Sequence, residues 1–247
     1  MGAGAFEDWR HFLWIALTIG LCVGLYILFA KYKKAGKITV ITMAIGMFLV
    51  RLVNQTVRAI IGAEVPWTRA FPFHLCTVMT FLLPIIVLLS YYKPQNKTIS
   101  LFKHAIYVLS ILGGIITVIV GDFFDSSFMN FGTIEGIVAH TVMILIPIIE
   151  IAIGNFRLDI KTSWTVIVGM LVLIGWASLA NFVFFKDYDT NYMFLRKNGL
   201  PGNIGGDAYF LIYILIFAIM FSLIYFIPIC YRKIKNKKTV GKIETKS

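Results

Sequence analysis

The chain has 247 residues, 59% of them hydrophobic and 14% charged, with a mean hydropathy of +0.83. Soluble domains carry about 25% charged and 45–50% apolar residues, so this composition excludes a soluble globular protein. The formal net charge of +11 would suggest nucleic acid in a soluble chain, but in a membrane chain basic residues first report orientation. The cysteines, Cys22, Cys76 and Cys230, are too scattered for a disulfide framework or a thiolate metal site, and no metal or cofactor is expected.

A helix needs about 20 mostly apolar residues to cross hydrocarbon about 30 Å thick. The first such run is Phe12–Ala30. Acidic Glu7 and Asp8 precede it and Lys31-Tyr32-Lys33-Lys34 follows it, which predicts an uncleaved span rather than a signal peptide. Phe6 stands where a myristoylation signal needs Ser or Thr. Gly20 and Gly24 have the small-xxx-small spacing suited to packing within the bundle.

The second run, Ile38–Gly62, carries Arg51, Asn54, Gln55 and Arg58. Their i, i+3, i+4, i+7 spacing places all four on one helical face. A central charge costs about 2.5–3.5 kcal/mol in hydrocarbon, so the face is expected to form a polar wall opening outward. At about 1.5 Å per residue, Arg51 is expected near the midplane and Arg58 in the outer half.

The third run, Phe73–Tyr91, is entered through Phe71-Pro72. Pro72 suits a first helical turn, which puts His74 and Cys76 near a helix N-terminus, where unpaired amides favour a thiolate. Residues two apart do not face each other on a regular helix, so His74 reaches Cys76 only if the first turn is irregular.

The fourth run, Ile99–Val120, contains Gly113-Gly114, which allows close approach, and is followed by Asp122 and Asp125. The fifth, Ile134–Ile153, holds His140, about 9 Å below its outer end. Arg58, Cys76 and His140 are therefore expected in one layer, whereas His11 and His104 read as interfacial. The sixth, Trp164–Phe184, brings Asn181, Asn191 and Tyr192 to the same outer side. The seventh, Tyr209–Cys230, has no Lys for a Schiff base, which excludes a retinal protein.

The fold class is thus an all-α integral membrane protein, a seven-transmembrane-helix bundle. Sixteen of the 23 basic residues fall on one side, in the loops after the first, third and fifth runs and in the tail, with five on the other side. The positive-inside rule places the N-terminus outside and the C-terminus in the cytoplasm. Residues 1–231 form a single membrane domain, and 232–247 a basic cytoplasmic tail suited to anionic lipid. The charge gives no reason to invoke nucleic acid.

Three segments together resemble the YwaF-like family of bacterial integral membrane proteins, related to eukaryotic transmembrane protein 164. They are Phe71-Pro-Phe-His-Leu-Cys76; Gly113-Gly114 through Gly121-Asp122 with His140 downstream; and Asn191-Tyr-Met-Phe-Leu195 followed by Pro201. The resemblance implies phospholipid acyl transfer in a bacterial plasma membrane, with Cys76 as nucleophile and His74 and His140 as candidate bases.

Chemically, Cys76 would form an acyl-thioester from a phospholipid of the outer leaflet, and a histidine would shuttle the proton to and from lysophospholipid. Arg51, Asn54, Gln55, Arg58, Asp122, Asn181, Asn191 and Tyr192 are the candidate substrate-binding residues. The alternative is an outward-facing binding or transport protein that captures an anionic solute or lipid headgroup through Arg51 and Arg58.

Overall fold

The computed structural model describes residues 8–60, 72–121, 131–199 and 205–244, with the side chains of all of these except 57–60 and 229–244. Seven helices follow one another: α1 Trp9–Lys31, α2 Lys33–Ile60, α3 Leu75–Tyr92, α4 Lys97–Val120, α5 Phe131–Ile153, α6 Trp164–Leu179 and α7 Tyr209–Glu244. All seven are long and apolar enough to cross a membrane, counting the turns that extend α6 and α7, and there is no strand among the described residues. This is an integral membrane bundle, since in lipid a helix satisfies its own backbone hydrogen bonds.

Helices α4 and α5 form the centre. The first packs against α3, α5 and α6, and the second against α1 and α2 as well. Their sequences explain the position. In α4, residues 103–114 are buried without interruption, small Ser110, Gly113 and Gly114 among them. Helix α7 lies at the other extreme, with Leu211, Leu215, Phe226 and Ile227 exposed to the surroundings that lipid would occupy. It continues without a break from its apolar stretch into the basic segment as far as Glu244.

Two glycine pairs behave differently. A Cβ on Gly114 would lie 2.6 Å from Ile144 Cγ1 and 3.0 Å from the His140 carbonyl oxygen, so its absence lets α4 and α5 close together. Gly20 and Gly24, expected to pack within the bundle, instead have nothing within 4 Å of a would-be Cβ. The small-xxx-small spacing there lies on a face that meets no other helix among the described residues.

The interfacial reading of two histidines is also corrected. His11 is fully buried with Nε2 3.0 Å from the Ile119 carbonyl. His104 is buried between the Tyr225 hydroxyl, 2.6 Å from Nε2, and the Thr162 hydroxyl, 3.0 Å from Nδ1. Both tie helix ends together, which interior polar groups must do to satisfy their hydrogen bonds.

Candidate functional site: a cysteine and histidine at a helix interface

Helix α3 begins at Leu75, later than expected. His74 is its N-cap with extended dihedrals (φ −86°, ψ 146°), so Pro72 precedes the helix rather than occupying its first turn. Aromatic packing holds the approach. Phe73 lies against Trp176, Phe185 and Tyr192, with ring centroids 5.0, 5.7 and 4.9 Å away, and Trp176 Nε1 donates to the Pro72 carbonyl at 3.1 Å. His74 offers no side-chain cap to the first-turn amides of α3. Its Nδ1 instead accepts the Met193 backbone N–H at 3.3 Å.

Cys76 follows in the first turn of α3, half-buried. Its sulfur lies 3.5 Å from Thr117 Oγ1 and 3.9 Å from the Gly113 carbonyl, both on α4. A Cβ on Gly113 would sit 3.5 Å from that sulfur, in ordinary van der Waals contact with it. From α5, the His140 side chain approaches Cys76 closely enough for the two to interact.

The orientation of His140 follows from its other contact. Nδ1 is 2.6 Å from the Gly136 carbonyl oxygen one turn earlier. A carbonyl only accepts, so Nδ1 carries the hydrogen, and a neutral ring then keeps its lone pair on Nε2 for the thiol. The structure therefore brings Cys76 together with His140, while His74 is engaged by the 192–195 segment.

The polar face of α2 turns toward α5 rather than opening outward. Arg51 Nη1 donates to the Glu135 carboxylate at 3.3 and 3.4 Å, its Nη2 lies 3.4 Å from Thr77 Oγ1, and Asn54 Nδ2 donates to Glu135 at 3.0 Å. Gln55 is half-buried beside them. The Arg51 guanidinium thus spans from α5 to the first turn of α3. The Arg58 side chain, expected in this layer, lies outside the described residues, as does Asp122.

Asn181 and Asn191 organise the outer loop. Helix α6 passes into a π-helical turn, Ala180–Phe184. There the fully buried Asn181 donates through Nδ2 to the Tyr192 carbonyl and accepts the Tyr192 N–H through Oδ1, each at 2.9 Å. Asn191 Oδ1 accepts the N–H groups of Arg196 and Lys197 at 3.0 Å. The Tyr192 ring is buried against Phe73 and His74. Met193 and Phe194 then take positive φ values of 52° and 56°, uncommon for side chains of this size. Such strain is held by its surroundings and clusters at functional sites.

This loop closes a cavity of about 260 Å³ over the cysteine. His74, Cys76 and Thr117 line one end, and Met170, Phe210 and Ile214 the apolar remainder. Phe210 and Ile214 are 43% and 52% exposed, so the cavity reaches the outer surface of the bundle between α6 and α7.

Glu135 and Thr117 escaped sequence reasoning. Glu135 had a signal, a carboxylate at the head of an apolar run opposite the Arg51 face. Thr117 had none, because a threonine in a span usually bonds its own helix.

Fold and site together define a seven-helix membrane protein with a cysteine beside a histidine at the interface of three helices, the cysteine lining an apolar cavity. The TMEM164 family profile matches residues 5–232, nearly the whole chain. The chain belongs to that family. No curated protein and no solved structure shows significant similarity to it.

Proposed function

We propose that this protein transfers acyl groups between phospholipids through a thioester on Cys76, with His140 as base. The observation that carries this reading is Cys76 beside His140, whose Nδ1–H is fixed on Gly136, with the cysteine lining a cavity of mostly hydrocarbon side chains. His140 Nε2 takes the thiol proton as sulfur attacks the ester carbonyl carbon of a phospholipid. The tetrahedral oxyanion collapses, the C–O bond breaks, and the lysophospholipid alkoxide leaves with the proton from His140. An acceptor lysophospholipid hydroxyl then gives its proton to His140 and attacks the thioester carbonyl. A new ester forms, the C–S bond breaks, and the thiol is regenerated.

First-turn amides of α3 without a side-chain cap are suited to the oxyanion, as helix N-termini are to anions generally. The cavity mouth between α6 and α7 suits an acyl chain entering sideways from lipid. The positive-inside assignment puts the site toward the outer leaflet of a plasma membrane, with the tail from 232 on cytoplasmic anionic lipid. Arg51 supports catalysis over anion capture, because Glu135 already meets its charge.

Purified protein incubated with acyl-labelled phospholipid is expected to carry a hydroxylamine-labile acyl group on Cys76, absent in Cys76→Ala and in His140→Ala. Full acyl exchange by Cys76→Ala would overturn the reading.

A further inference from the structure

A second site stands at the other end of the bundle, where α3 ends and α4 begins. There Lys37, Lys93 and Lys103 face one cavity of about 310 Å³ together with Ser90, Ser100 and Tyr91. Its floor is charge-balanced. Lys103 Nζ donates to Glu150 at 2.7 Å and to the Asn155 carbonyl at 3.2 Å, and the Tyr91 hydroxyl donates to the other oxygen of Glu150. Glu150 is fully buried and its oxygens are both engaged.

The rim is not balanced. Lys37 and Lys93 take part in no ion pair among the described residues. Lys37 stands 4.6 Å from the centre of the Tyr91 ring, and Lys103 is 6.0 Å from the same centre. Ammonium groups converging on one cavity repel each other, and the single carboxylate is spent on the floor. An oxyanion between them converts repulsion into charge-assisted hydrogen bonding. The first turn of α4, where Ser100 lies, adds the positive end of a helix dipole and a hydroxyl donor.

We propose that this cavity binds a phosphate group, held by Lys37, Lys93 and Ser100 over the fixed Lys103–Glu150 floor. An anionic phospholipid headgroup is the favoured source. Ile38 and Tyr92, beside the rim, are 58% and 79% exposed, so acyl chains of a bound lipid have apolar surface to follow. The site is remote from Cys76 and independent of the chemistry proposed there.

The test follows thermal unfolding of purified protein in phosphate-free detergent, titrated with phosphatidylglycerol, phosphatidylcholine or inorganic phosphate. Phosphatidylglycerol is expected to stabilise the wild type more than phosphatidylcholine does. Lys37→Gln/Lys93→Gln should weaken that binding roughly 25-fold, about fivefold for each charge-assisted contact to the phosphate that is lost. The control Lys31→Gln/Lys34→Gln, at the same basic end but outside the cavity, should stay within about twofold, since neither ammonium lines it. Stabilisation by inorganic phosphate alone, lost in the same cavity variant, would identify free phosphate as the source. Should the double variant misfold, Ser100→Glu, which puts a carboxylate on the exposed rim, is expected to abolish binding. Equal binding by the cavity and control variants, or no preference over phosphatidylcholine and no response to phosphate, overturns the proposal.

Discussion

Adjacent glycines on α4 are expected to respond in opposite directions to the same substitution. Gly→Ala in a helix interior gains about 1 kcal/mol of helix propensity. At Gly114 the new Cβ would meet Ile144 Cγ1 at 2.6 Å and the His140 carbonyl oxygen at 3.0 Å. Neither can swing away, since one is at the root of a branched side chain and the other is backbone. Helix α5 must therefore move, and overpacking of this kind costs about 1–3 kcal/mol. The net result for Gly114→Ala is a loss of up to about 2 kcal/mol. At Gly113 the nearest atom is Leu75 Cδ2 at 3.2 Å, the far end of a flexible side chain, and Cys76 Sγ is at 3.5 Å. Gly113→Ala should be neutral or stabilising by up to about 1 kcal/mol. Gly20→Ala, which meets nothing within 4 Å, sets the unhindered reference. Unfolding of the three variants in detergent, paired with the alkylation rate of Cys76, measures both effects. Because Gly114→Ala pushes the backbone of His140 itself, its Cys76 labelling should change where that of Gly20→Ala does not. Gly114→Ala as stable as Gly20→Ala would refute the claim that this glycine sets the α4–α5 distance.

Removing Glu135 by Glu135→Ala should cost about 3 kcal/mol, the low end for breaking a buried pair, because the Arg51 side chain keeps 18% exposure. Arg51→Met/Glu135→Leu should recover most of the loss, and an unshifted midpoint in Glu135→Ala would show that Arg51 is already hydrated. His140→Ala should slow Cys76 alkylation at neutral pH at least about tenfold by removing the proton acceptor. His74→Ala should leave the rate within about twofold, since its Nδ1 serves Met193; equal effects of the two would contradict the geometry. Asn181→Ala removes both hydrogen bonds to the Tyr192 backbone, at about 1–3 kcal/mol for each group left unsatisfied. Hydrogen exchange at Tyr192 should accelerate and Cys76 labelling with it, and unchanged exchange would show that the aromatic cluster alone holds the loop.

Much of the architecture was legible from the chain. The seven spans, the polar face on α2, the close approach at Gly113-Gly114, and the family motifs around Cys76 and His140 all sit in contiguous residues, where composition and the 3.6-residue period are local properties. The start of α3 was missed because Pro72 suits both a first turn and an extended approach, and aromatic packing from α6 and the outer loop selected the second.

The sequence by itself determined which helices form and which side chains are too polar for lipid. The tertiary structure alone decided which of them meet: Cys76 with His140 rather than His74, and Arg51 with Glu135 rather than an open cavity. Those pairings depend on the axial offset and rotation of one helix against the next. Both are fixed by small residues at the contacts and by the need of every buried polar group for a partner, often one from a distant segment.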